Sequence, residues 1–294
     1  MTNRPVPIRA QLRRNLIFTT VSFCLFSSVA VGQTPYASIC QTCDSTRTIA
    51  RRLPPPQGFA RVTTDANSYA AYLRHLPLTP EGTDANDWRG QLALTSAEVA
   101  AVLDWRLLGS VEQCADIAIR LLAEHARHNG VDQHIRFRSL SGQTMGWVEW
   151  LQGHYSLNAD ATRIAYTSGA KRTATDREFD RYLTFVMSYA NTASMLRDWP
   201  TVAYESIEIG DVLIQPFCTG RGSGHLSLIV DACVDDTGNR LYLFADGYTP
   251  ARTPVIRQRM PGSPETAWMT TEEYLNLMSQ FGSGTFHRFP GWGQ

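Results

Sequence analysis

A thiol, an imidazole and a carboxylate stand at three element boundaries of this 294-residue chain: Cys114, His225 and Asp246. Cys114 opens a run in which Cys114, Ile117, Ala118, Leu121, Leu122 and His125 share one helical face. Ser110, followed three residues on by Gln113, has the spacing of a capping box, which places Cys114 in the first helical turn. The free N–H groups there lower a thiol's pKa and raise its thiolate fraction. A small buried hydrophobe suits the same position, so core packing is the competing reading of Cys114. His225 stands where a glycine-rich stretch, residues 219–224, enters an apolar run, and Asp246 closes the next run. Such a set does nucleophilic chemistry. The histidine takes and returns a proton near neutral pH, the carboxylate orients it, and the main-chain N–H of Cys114 helps hold an oxyanion.

The elements that must bring these groups together are three β-branched and alternating runs between Ile207 and Tyr248, broken by glycine, which read as antiparallel strands. For Asp246 to lie opposite His225 the last turn must centre between Asp235 and Asp236, whereas Thr237-Gly238-Asn239 is the stronger turn signal. Centring there puts Pro250 or Ala251 across from His225. Asp246 then lies about four residues along on the same face, and a bulge is required to close the gap.

Upstream, Asn67 to Leu76 reads as a short helix stopped by Pro77, and Ser96 can cap a helix from Ala97 to Leu107. Ile135 to Leu140 alternates like a strand. Trp147 and Trp150, three apart, could line a groove for sugar or peptide or pack in the core. Glu149 lacks a second carboxylate at glycosidase spacing. Residues 155–178 are polar and read as a surface insertion. Phe179 to Trp199 reads as one helix and Thr270 to Phe281 as the last.

Residues 1–14 carry four arginines and no acid, Leu16 to Val31 is apolar, and Ala30-Val31-Gly32 offers small residues for cleavage. That pattern predicts a signal peptide over 1–32, hence a periplasmic or secreted protein with no integral membrane segment after cleavage. Loss of four arginines moves the net charge from 0 to −4, which argues against a nucleic-acid partner. Residues 33–60, ending in a Pro54-Pro55-Pro56 run, read as an extended lead-in to a single α+β domain over 61–294, with an insertion around 131–200. Cys40 and Cys43 form a CxxC that suits a small disulfide loop; the partners of Cys218 and Cys233 stay open. No metal motif is present, since His125 and His128 lack zincin spacing, and no cofactor is implied.

The order of thiol, then histidine at a strand start, then acid at a strand end resembles the papain-like fold of NlpC-type and CHAP-type cell-wall hydrolases. Gly210-Asp211 and Gly224-His225 are similar to the paired "GD" and "HV" motifs of those families, and Gln113-Cys114 to the Gln-Cys of CHAP domains. The resemblance implies N-terminal helices on a C-terminal antiparallel sheet and a cysteine peptidase or amidase acting on cell-wall or peptide-like material. Only the unpermuted order is open, because no cysteine follows Cys233. Nearly the whole mature chain also resembles an exported bacterial family known only as a domain of unknown function. The matching pieces include Leu73 to Leu78, Gln113 to Asp116, Ser188-Tyr189-Ala190 and Gly210 to Asp231. The alternative is a non-catalytic exported binding or structural protein on the same fold, with Cys114 in the core.

Overall fold

The apolar runs after Gly210 pair as three successive antiparallel strands in the middle of a large sheet. The computed structural model describes residues 36–157, 164–216 and 224–292. The sheet's strands are β1 (Phe59–Arg61), β2 (Val99–Val102), β3 (Thr201–Val202), β4 (Val212–Gln215), β5 (His225–Asp235), β6 (Arg240–Asp246), β7 (Val255–Arg257) and β8 (Thr285–His287). Their order is β2-β7-β6-β5-β4-β8-β3, all antiparallel, and β1 pairs with the far half of β5. The helices among the described residues are α1 (Ile49–Arg52), α2 (Tyr69–Arg74), α3 (Cys114–His128), α4 (Trp147–Leu151), α5 (Asp176–Tyr189), α6 (Thr192–Asp198) and α7 (Thr271–Leu277). The fold is therefore mixed α+β. None of these helices is long and apolar enough to cross a membrane.

Both faces of β5 are covered, which explains why its sequence is apolar in a run rather than alternating. Leu226, Leu228 and Val230 join the core that holds α2 and α3, while Ile229 joins Phe244, Tyr274 and Met278 beneath α7. A bulge interrupts β5: Ser227 faces Asp246 and Ile229 faces Phe244, but beyond the shift Asp231 faces Leu243. Asp231 sits at the bulge, fully buried, and accepts from Arg61 Nε and Arg74 Nε at 2.7 Å each. The β5–β6 turn falls at the Thr-Gly-Asn signal. The Asp235 carboxylate accepts from the Thr237 and Asn239 N–H groups at 2.9 Å, and Gly238 takes φ +92.

Several sequence-based expectations are corrected. Residues 97–107 hold no helix; Val99–Val102 is instead an edge strand buried on both sides and paired with β7, which suits its β-branched ends. The helix read from Phe179 to Trp199 is two, because Asn191 accepts from the Ala193 and Ser194 N–H groups and starts α6 afresh. The lead-in is not simply extended: it contains α1, and Ile39, Ile49 and Leu53 are buried in the main core. The polar stretch after 155 includes a hairpin of Tyr155–Leu157 with Ile164–Tyr166. The last helix stops at Leu277, followed by a 3₁₀ turn, Ser279–Phe281.

Candidate functional site

Cys114 lies in the first turn of α3, as the sequence suggests, and is its first residue, because the cap falls three residues later than the Ser110 spacing implies. Gln113 is the N-cap residue; its N–H donates to Asp116 Oδ2 at 2.8 Å while its carbonyl accepts the Asp116 N–H at 3.2 Å. The Cys114 N–H, at the first helical position, has no acceptor within the helix and points out of its end. The thiol is 5% exposed, is not disulfide-bonded, and donates to the Gly224 carbonyl across a long 3.8 Å contact.

Gly224 delivers the histidine. A Cβ here would come within 2.5 Å of the Gln215 carbonyl, so the backbone of this stretch passes its neighbour at a distance only glycine permits. His225 then opens β5 opposite Gln215. The Gln215 amide donates to the Met278 and Gly282 carbonyls at 3.0 and 2.7 Å, which anchors the turn carrying Phe281. Phe281 in turn stacks on the imidazole, with centroids 4.1 Å apart and planes at 12°. Tyr248, half-exposed, stands 6.4 Å from the same ring.

Asp246, at the end of β6, lies opposite Ser227, two residues along from His225 on the same face. The bulge in β5 supplies the shift that the turn position required. Asp246 Oδ2 is 3.3 Å from His225 Nε2, an ion-pair contact not aligned well enough to be a hydrogen bond. The carboxylate is fully buried and also accepts from Arg252 Nη2 at 2.9 Å and from Arg257 Nε and Nη2 at 3.0 and 2.9 Å. Burial alone would favour its neutral form, but the two guanidinium groups and His225 hold its pKa far below the usual carboxylate range. Burial likewise works against the imidazolium. Asp246 and the Cys114 thiol outweigh it, and the His225 pKa is held up at about 9. Nε2 faces Asp246, so Nδ1 is the nitrogen left for the thiol.

The structure thus brings Cys114, His225 and Asp246 to one place, beside a cavity of about 320 Å³ lined by Gln113, Cys114, Asp116, Ser188, Thr192 and Gly224 among others. Gly247 closes the arrangement: its Cα packs against the start of α3, where a Cβ would meet Ile117 Cδ1 at 2.7 Å. Trp147 and Trp150 lie elsewhere, which corrects the groove reading. They are 2% and 8% exposed, pack edge-on and tilted against Phe179, Tyr182 and Phe185, and donate their indole N–H groups to Asp132 and Glu178. Cys40 and Cys43 form a disulfide. Cys233 is buried and unbridged, and Cys218 lies outside the described residues. Asp211 of the Gly-Asp pair serves the fold, accepting from the Glu208 N–H and the Arg288 guanidinium. No cluster of ligating side chains suited to a metal ion occurs among the described residues.

Arg252, Arg257, Gln215, Phe281 and Tyr248 were not foreseen in the sequence. Only the Arg252/Arg257 pair had a local signal, two arginines flanking a short β-branched run just after Asp246.

Residues 49–285 match a protein family described as Domain of unknown function (4846). No curated protein and no solved structure matches the chain.

Proposed function

We propose that this chain, which belongs to the family Domain of unknown function (4846), is an exported thiol hydrolase, a peptidase or amidase of papain-like type acting on peptide-like bonds such as those of cell-wall material. The observation that carries the reading is the contact of His225 with both a helix-start thiol and a buried, doubly arginine-paired carboxylate. In the proposed reaction His225 holds the proton of Cys114 as an imidazolium, and the thiolate attacks the substrate carbonyl carbon to form a C–S bond. The Cys114 N–H steadies the oxyanion. The C–N bond then breaks, and the leaving amine takes the imidazolium proton. Water loses a proton to His225 and attacks the thioester; the acid departs and the thiolate is restored. Asp246 orients the ring throughout, and its arginines keep it from becoming the proton acceptor.

Turnover of a muropeptide or short peptide amide by purified protein, lost to background in Cys114→Ser, tests the proposal. Ser keeps the side-chain volume nearly constant, so the variant folds. Hydrolysis retained in that variant excludes Cys114 as the nucleophile.

A further inference from the structure

A cavity of about 410 Å³ lies at the other end of α3 from Cys114. His125 is eleven positions along the helix from Cys114, a rise of about 16 Å. Its walls come from α1, α2 and the end of α3, and nothing in the proposed chemistry uses them.

Four basic side chains line it, Arg51, His75, His125 and His128, and no carboxylate does. Arg51 makes no ion pair among the described residues, so its charge is uncompensated at the rim. His75 is fixed by its Nδ1, which donates to the Ala71 carbonyl at 2.7 Å and leaves Nε2 for a ligand. Tyr72 packs at a tilt against His125, with centroids 5.2 Å apart, and against Tyr36 at 4.8 Å, giving the site aromatic walls. Thr48 also lines the cavity, and its hydroxyl is buried with no hydrogen-bond partner. Such orphans are uncommon in folded proteins and call for an explanation. Three carbonyls of the last turn of α3 are engaged within the chain: His125 O accepts from the Asn129 N–H, Ala126 O from the Val131 N–H and Arg127 O from the Gly130 N–H.

The rim is also held in place. Cys43 lines the cavity and is tied to Cys40, and the Asp104 carboxylate accepts from the Gln41, Thr42 and Cys43 N–H groups at 2.9 to 3.0 Å. A fixed concave site with one uncompensated arginine, ring walls and spare polar groups is built to receive a ligand. We propose that this cavity binds an organic carboxylate with a ring-shaped body, such as a sugar acid. The carboxylate pairs with Arg51, a ring hydroxyl donates to His75 Nε2, and the ring lies against Tyr36 and Tyr72.

Calorimetric titration of the full chain with galacturonate, galactose, acetate and inorganic phosphate tests this. Galacturonate should bind saturably. Arg51→Gln should weaken it by about tenfold, the usual effect of losing a charge-assisted hydrogen bond, and His75→Phe by about fivefold, that of losing a neutral one; both positions are exposed. Galactose and acetate should bind at least about tenfold more weakly than galacturonate, for want of the charge and of the ring respectively. Cys114→Ser should bind galacturonate as the wild type does. Absence of galacturonate binding, equal binding of galactose, or equal binding of acetate or phosphate overturns the proposal. Binding unaltered in both the Arg51 and His75 variants overturns it too.

Discussion

At the scale of single residues, the site rests on opposed environments for neighbouring groups. Asp246 is buried yet ionised because two guanidinium groups face it, and its charge in turn favours the imidazolium of His225. A histidine whose pKa rises on folding stabilises the fold most when protonated. The contribution is complete below pH 6.5, the ordinary histidine value, and disappears as pH rises through about 9. Thermal unfolding should therefore show the wild type losing stability relative to His225→Gln between those limits. A constant difference across that window means that His225 carries no such shift. Arg257→Gln removes three of the hydrogen bonds that fix the Asp246 carboxylate, so the proposed hydrolase should lose turnover with the KM for substrate little changed. A rise in KM with intact kcat would instead place Arg257 in substrate binding.

At the scale of elements, close backbone approaches set the geometry. Gly224→Ala places a methyl 2.5 Å from the Gln215 carbonyl, so β4 and β5 must part where His225 begins. Strain of this kind costs about 1–3 kcal/mol, measurable by urea denaturation. An unchanged midpoint would show that the strands are not so closely apposed. Trp147→Ala should cost about 3–5 kcal/mol, as for a fully buried aromatic, without changing ligand affinity. A stable variant with weakened substrate binding would restore the groove reading.

These elements also show what the sequence made legible. The three strands, the helix-start thiol and the turn at Thr237-Gly238-Asn239 are legible from local causes: β-branched periodicity, an apolar helical face that begins at Cys114, and turn chemistry. The Ser110 capping box is not the one formed; the box that forms starts at Gln113, and Asp116 supplies its acid. The need for a bulge followed from the turn position alone, although its location at Ile229/Asp231 did not. Val99–Val102 carries no strand signal in its sequence, because four apolar residues buried on both sides of an edge strand show no alternation. The tryptophans misled for a related reason. Three-residue spacing marks one helical face but is silent on whether that face meets solvent or Phe179.

At the scale of the whole molecule, one concavity lies at the start of α3 beside Cys114 and another at its end beside His125 and His128. The proposed export requires the thiol at the first to remain free in an oxidising compartment. Non-reducing peptide mapping of the exported protein should find Cys40 joined to Cys43 and Cys114 unbridged; a disulfide at Cys114 would remove the proposed nucleophile. The central claim is that Cys114 and His225 form a thiolate–imidazolium pair, and alkylation by iodoacetamide at pH 6 in the folded protein tests it most directly. Without the imidazole, only the field of the helix end, about 0.3–1 kcal/mol, favours the ionised thiol. Cys114 should therefore label readily in the wild type and far more slowly in a folded His225→Ala variant, whereas equal labelling rates in the two proteins would contradict the pairing.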